Sequence, residues 1–369
     1  MKQFKLNINT KTQKYPIIIG RGLLNNIPKL LKNNSLYFTK CLIVIDNKIK
    51  KKVILRILKK FNKKNIITFL FNANEKNKNQ KNVDKILALL LKNNFQRNDC
   101  LISVGGGITG DVSGFASSIY KRGINFVNIP TTLLAQVDSS IGGKTGINTS
   151  FGKNLVGSFY QPRLVISDID FLKTLPKREI VCGYAEILKH SLILNKKFFL
   201  WLKKNGKKII NKKNNNYLTR AIFKSCKIKS QIVSRDENEK NLRMILNFGH
   251  TFAHGIEAAN NYSRKINHGE AVLMGMMLAA RLSLRKKICS HSTLDKIENL
   301  YRINNLPKNL KNFFSKKRLD NIIDFMKIDK KNYDDKINLI LLKKIGKTTT
   351  PGSFRIDAKE MKTVLRKIS

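Results

Sequence analysis

Residues 100–111 read CLISVGGGITGD, a short apolar run that ends in three glycines and a polar Thr-Gly-Asp. Residues 100–104 have the length and aliphatic content of a buried strand, and the glycines interrupt it where a helix can begin. Glycine lets the backbone approach a phosphate closely, and a helix N-terminus offers that phosphate unpaired N–H groups. Gly105, Gly107 and Gly110 satisfy GxGxxG when read literally. A plain tight turn between strand and helix has the same spacing. The usual dinucleotide fingerprint lies on a first strand and is followed about twenty residues later by an acid. Here the strand is a late one and no acid follows at that distance. A dinucleotide would need its ribose held from an earlier strand, where Asp46 closes the run 41–45.

Working outward, strand-length runs recur at 17–19, 41–45, 66–71 and 126–129, with amphipathic helical segments such as 48–60 and 83–91 between them. Strand and helix in alternation imply a parallel sheet with helices on its faces, and such sheets bind ligands at the carboxyl ends of their strands. After about residue 176 the texture changes: 179–194, 216–233, 250–259, 270–287 and 293–301 read as helices, with little strand character until 337–342. The sequence therefore predicts an α/β N-terminal Rossmann-like parallel-sheet domain over 1–176, followed by an all-α C-terminal domain over 177–369. A chain of 369 residues with 42% hydrophobic content can fill two such cores.

Lys and Arg number 72 against 24 acids, a net charge of +48. That balance suits nucleic acid or an anionic surface. The lysines, however, are spread along the whole chain among Asn and Ile, as a coding bias would leave them, and no nucleic-acid motif accompanies them. No nucleic-acid partner is expected. The five cysteines are widely spaced and lack a CxxC pair, which fits reduced thiols in a cytoplasmic protein. The N-terminus lacks a signal peptide's apolar core, and the best apolar run, 271–280, is too short for a bilayer, so no membrane association is expected.

The scarce acids and histidines gather in a few stretches. PTTLLAQVDSSIGGKTGIN at 130–148, with GKN at 152–154, reads as a polar loop whose small donors and Lys144 suit a phosphate or a nicotinamide. Glu186 and Lys189 stand at i and i+3 on a helix. They form either an ordinary intrahelical pair or part of a site, and spacing does not choose. Residues 246–270, LNFGHTFAHGIEAANNYSRKINHGE, hold three of the chain's five histidines. Single histidines are commonly hydrogen-bonded polar groups, but three together point to metal. Spacing alone pairs His250 with His254, which share one helix face.

GGGITGD, PTTLLAQVDSSIGGKTGIN, GKN, LKTLP, AEILK, LNFGHTFAHGIEA and HGEAV stand in the order seen in the 3-dehydroquinate synthase family, which the chain resembles from about residue 17 to residue 347. The resemblance implies an NAD-binding domain followed by a helical domain carrying zinc, with cobalt able to stand in for it. Position by position, it implies Glu186, His250 and His268 as metal ligands. The nucleotide-binding positions it implies are Asp46, Glu75, Lys78, Gly105, Gly106, Gly107, Asp111, Thr131, Thr132, Asp138, Ser139, Lys144 and Lys153. Around the substrate it implies Arg122, Lys144, Asn154, Lys189, Lys229, Glu239, Arg243, Asn247, His254 and Lys347. It further implies a homodimer in which Arg243 reaches the neighbouring subunit's site. Asn74 stands where the family usually has Gly, and Tyr184 where a smaller or aliphatic residue is usual.

The implied reaction is the shikimate-pathway conversion of 3-deoxy-D-arabino-heptulosonate 7-phosphate to 3-dehydroquinate and phosphate, a step toward chorismate and the aromatic amino acids. It is a lyase reaction in which NAD is used catalytically. His254 falls on the substrate's phosphate side. Another sugar phosphate cyclase, or a metal-dependent polyol dehydrogenase, is the alternative of related architecture.

Overall fold

The computed structural model describes residues 3–212, 215–260, 265–307, 316–327 and 336–368. The chain forms two compact units, Met1–Leu175 with Leu218–Glu237, and Pro176–Tyr217 with Asn238–Ser369.

The first unit contains β1 (Phe4–Asn9), β2 (Lys14–Gly20), α1 (Ile27–Lys32), β3 (Cys41–Asp46), α2 (Lys51–Leu58), β4 (Ile66–Phe71), α3 (Gln80–Lys92), β5 (Cys100–Gly105), α4 (Gly107–Ile119), β6 (Asn125–Pro130), β7 (Lys144–Thr149), β8 (Gly152–Phe159) and β9 (Leu164–Asp168). Its main sheet has seven strands in the order β1-β2-β9-β6-β5-β3-β4. All neighbours run parallel except the β1–β2 pair. Period-two alternation divides the strands between two cores. Ile43, Ile45, Ile102 and Val104 face the layer of α1 and α2, whereas Leu42, Val44 and Leu101 face Val83, Ile86, Val112 and Phe115 of α3 and α4. From β3 the chain runs out to β4 at the sheet edge and returns to β5 on the other side of β3. That reversal makes the carboxyl ends of β3 and β5 the topological switch point, where open parallel sheets take their ligands.

Two expectations need correction. The stretch 130–148 is more than a polar loop: after one π-helical turn, Ala135–Ser139, it enters the antiparallel hairpin of β7 and β8. The division at 176/177 also leaves out a return of the chain. The helix α7 (Asn215–Arg235) lies almost wholly in the first unit. Its Phe223 stacks on Phe4 at 4.8 Å, and the Cys226 thiol donates to Gln136 O at 3.3 Å. Just beyond it, Glu237 accepts hydrogen bonds from Thr12 N and Oγ1 at 3.1 and 2.5 Å and from Gln161 Nε2 at 2.7 Å. Helical periodicity reveals that α7 has a buried face but not what covers it.

The second unit is helical, with α5 (Lys177–Leu194), α6 (Lys196–Ile210), α8 (His250–Ala259), α9 (His268–Arg285), α10 (His291–Asn304), α11 (Lys316–Lys327) and α12 (Ala358–Ile368). Two short two-stranded ladders accompany the helices: β10 (Lys336–Asn338) with β13 (Arg355–Asp357), and β11 (Leu342–Lys344) with β12 (Lys347–Thr348). Three helices, α5, α8 and α9, are drawn together by glycines. A Cβ on Gly275 of α9 would overlap the carbonyl oxygen of Gly249, the left-handed residue (φ 80°) that caps α8, and a Cβ on Gly269 would overlap the Cys182 backbone of α5.

Candidate functional site

Those three helices bring Glu186, His250 and His268 to one point. His250 and His268 are each the first residue of a helix. Asn267 fixes the start of α9 through a capping box with Glu270: its side chain accepts from Glu270 N at 2.9 Å, and Glu270 accepts from Asn267 N at 2.9 Å. Arg178 of α5 holds the same carboxylate at 2.8 and 2.6 Å. With α9 docked in this way, His268 Nε2 stands 3.7 Å from Glu186 Oε1 and His250 Nε2 stands 3.6 Å from the same oxygen. One ligand atom from each of the three residues lies within 4.8 Å of the others.

Glu186 is fully buried, and its Oε1 receives no hydrogen bond among the described residues. Lys189, 2% exposed, pairs with its other oxygen. Burial alone would raise the Glu186 carboxyl, but the charges of Lys189, His268 and His190 hold it well below the usual range. Burial would likewise lower the His268 imidazole, but Glu257 and Glu186 push it up to about 10. A buried anionic oxygen facing two imidazole nitrogens is a cation's donor set. His254 packs edge-on against His250, with centroids 5.5 Å apart, and is exposed. Nearby in the chain, Glu239 accepts from Asn247 Nδ2 at 3.1 Å, and Arg243 is 2% exposed. Lys347 opens β12 directly after Gly346, whose N–H donates to Leu192 O at the end of α5.

The first unit gathers a second polar constellation at the carboxyl end of its sheet. Gly106 caps α4 without any side-chain hydrogen bond, which leaves the helix's first N–H groups open to an anion. Space around the turn is tight: a Cβ on Gly105 would overlap Thr109, and one on Gly107 would stand 3.0 Å from Ser139 Oγ. Thr131 N donates to Gly105 O at 2.9 Å and ties the end of β6 to the turn, and Thr132 Oγ1 accepts from Ala135 N at 3.1 Å. Lys78, 5% exposed, donates to Asp111 and to Asn154 at 2.5 Å each. Burial raises the Asp111 carboxyl, and Lys78 offsets part of that rise. Lys229 donates to Asp138 Oδ1 at 2.6 Å, and Lys153 stands 3.5 Å from Glu75. Asp46 ends β3, where burial raises its carboxyl and Lys48 N donates to it at 3.0 Å. Lys144 is exposed at the start of β7, and Arg122 is exposed with a left-handed backbone (φ 63°).

Comparison with known proteins shows the family. A family model described as 3-dehydroquinate synthase N-terminal matches residues 68–182, and one described as 3-dehydroquinate synthase C-terminal matches 183–332. The chain belongs to the 3-dehydroquinate synthase family. A 3-dehydroquinate synthase from Pelagibacter ubique is 58% identical over 346 residues, 94% of each chain. Among solved structures, a 2-deoxy-scyllo-inosose synthase complexed with carbaglucose-6-phosphate, NAD+ and Co2+ superposes with a TM-score of 0.86 at 24% identity, covering 99% of this chain and 100% of that one. A probable glycerol dehydrogenase from Sinorhizobium meliloti gives 0.66 at 14% identity, covering 95% of each. These two share the fold. The 3-dehydroquinate synthase relatives share the sequence as well, and that separates the family from the cyclase and dehydrogenase alternatives.

The two departures from the 3-dehydroquinate synthase pattern are accommodated locally. Tyr184 is fully buried, in space left by Gly206, whose Cβ would overlap its hydroxyl. Asn74 caps a short turn by accepting from Asn77 N at 2.9 Å. Among the described residues no helix is long and apolar enough to cross a membrane. Two residues carry more than the sequence reading gave them. Asn148 donates to Lys78 O, through its backbone, and to Glu75, and it accepts from Asn154 N at 3.1 Å. Glu257 stands 3.4 Å from His268 Nδ1. Its position two turns beyond His250, on the same helix face, is a signal that spacing carries.

Proposed function

We infer that this chain is a 3-dehydroquinate synthase. It converts 3-deoxy-D-arabino-heptulosonate 7-phosphate to 3-dehydroquinate and phosphate in the shikimate pathway, with NAD and a divalent metal ion. The observation that carries this reading is that the two family models together match residues 68–332.

Glu186, His250 and His268 hold the metal. Support comes from their spacing: ligands about 2.1 Å from a tetrahedral ion stand about 3.4 Å apart, close to the 3.6 and 3.7 Å between the imidazole nitrogens and Glu186 Oε1. The open N-terminus of α4, behind Gly105 to Gly107, fits a dinucleotide's diphosphate, and Asp46 on the adjacent strand fits a ribose hydroxyl. When bound, NAD supplies reversible hydride transfer and the ion supplies Lewis acidity. The protein's own groups orient and neutralise. Thr131, Thr132, Asp138, Ser139, Glu75 and Lys153 complete the nucleotide end. Lys78 pairs with Asp111 beside Asn154. Lys144, Lys189, Lys229 and Lys347, with Arg122, Arg243, Glu239 and Asn247, receive a substrate that bears a carboxylate and a phosphate. His254, exposed beside His250, donates to that phosphate. Preorganised charge of this kind does most of the work where the departing phosphate itself can carry off the proton.

The protein works in the cytoplasm as a homodimer. Arg243 is buried within its own chain, which speaks against its reaching a neighbouring copy's site. The deciding assay mixes the purified protein with NAD, zinc and the heptulosonate phosphate and follows phosphate, dehydroquinate and NADH. Phosphate and dehydroquinate form in equal amounts with no net NADH. NADH accumulating with product would instead indicate a dehydrogenase, and no phosphate release would refute the synthase.

A further inference from the structure

We propose that Glu257 is a positioning residue of the metal centre: its carboxylate accepts a hydrogen bond from the Nδ1–H of His268 and thereby commits that ring's Nε2 to the ion. The proposal rests on the reading of Glu186, His250 and His268 as ligands. Both histidines present the same arrangement. His268 has Nδ1 3.4 Å from Glu257 Oε2 and Nε2 3.7 Å from Glu186 Oε1. His250 has Nδ1 3.5 Å from Phe248 O and Nε2 3.6 Å from the same Glu186 oxygen. Each ring thus meets a protein oxygen on one nitrogen and the shared carboxylate on the other.

A neutral imidazole that binds a metal through Nε2 must keep its proton on Nδ1, so an acceptor there selects the tautomer, fixes the ring plane and strengthens the donor. For His250 the acceptor is a backbone carbonyl, which no substitution removes. For His268 it is the side chain of Glu257, 14% exposed on α8, in a chain where acids are outnumbered 72 to 24. Glu257 cannot reach the ion by the same contact, because it faces the opposite nitrogen of the ring. The competing account is an ion pair that merely holds α8 against α9, in which case its loss lowers stability and leaves metal affinity alone.

The test compares Glu257→Met, of similar length but with no oxygen acceptor, with Glu257→Gln, whose amide oxygen still accepts. Zinc affinity is measured by chelator competition, the visible spectrum is recorded on the cobalt-loaded proteins, and thermal melts of the metal-free forms report folding. Glu257→Met should bind zinc about 10- to 100-fold more weakly and change the cobalt spectrum, while Glu257→Gln recovers to within a few-fold of the unsubstituted protein. Equal affinity in Glu257→Met, or a Glu257→Gln as weak as the Met variant, overturns the proposal. If the unsubstituted protein takes up no stoichiometric metal, the ligand reading itself fails, and this control separates the two failures. Should Glu257→Met not fold, Glu257→Gln still decides, since a loss of 10-fold or more in a folded Gln variant contradicts the acceptor role.

Discussion

Glu186 has no exposed surface, whereas Glu75 leaves half of its side chain in solvent. The contrast extends to their surroundings. The triad of the second unit draws one residue from each of three helices, which glycines bring into backbone contact. The proposed nucleotide end of the first unit draws most of its residues from the continuous stretch 105–154, held by strand ends, a hairpin and partly exposed ion pairs. A buried, close-packed site has few ways to relax, so a small change there propagates. A site made of turns at a strand edge tolerates side-chain changes and reports them mainly in ligand affinity.

The largest expected effect is on the triad. His268→Ala should lose stoichiometric metal, with affinity down by at least about 100-fold, while His254→Ala retains it. Elemental analysis of the purified variants checks this, and the reverse outcome would return the ligand role to the pair His250 and His254. Next comes Gly275→Ala, which forces a methyl against the Gly249 carbonyl and should cost about 1–3 kcal/mol in urea unfolding. The matching change at the proposed nucleotide end, Gly107→Ala, meets only the Ser139 side chain, its Oγ at 3.0 Å and its Cβ at 3.4 Å. It should leave the unfolding midpoint nearly unchanged while raising the KM for NAD. If the two alanines destabilise equally, the contrast between the regions is lost.

The smallest effect is a pH dependence within the first unit. Burial would raise the Glu237 carboxyl, but hydrogen bonds from Thr12 and Gln161 outweigh that and hold it below its ordinary 4.5. A carboxyl depressed in the folded state stabilises above its unfolded pKa and loses that contribution as pH falls through the folded value. The urea midpoint should therefore drop from about pH 5 downward, and more shallowly in Glu237→Gln. An unchanged slope in that variant would mean that the contacts with Thr12 and Gln161 add no stability.

Much of the first unit was legible in the chain because its information is local. Val, Ile and Leu runs bounded by glycine name the central strands, and 41–45, 66–71 and 100–104 fall within β3, β4 and β5. β1 escaped because Phe4–Asn9 pairs lysine and asparagine with its apolar residues at the sheet edge, where one face stays wet. The hairpin of β7 and β8 escaped because its glycines and small polar residues resemble a loop, and only the backbone pairing from Lys144–Phe159 to Thr149–Gly152 makes it a sheet.

Alone, the sequence determined the α/β-then-helical order, the family to which the chain belongs and the clustering of its rare histidines, because periodicity and ordered motifs are properties of neighbouring residues. Spacing on one helix would have paired His250 with His254. The family resemblance, not spacing, put His250 and His268 with Glu186, and the structure brings both rings within 3.6 and 3.7 Å of its Oε1. Only the tertiary structure decided that Glu257 lies behind His268 and that α7 returns to the sheet. Those outcomes depend on which buried faces meet, and a helix's periodicity says that it has such a face without saying what will cover it.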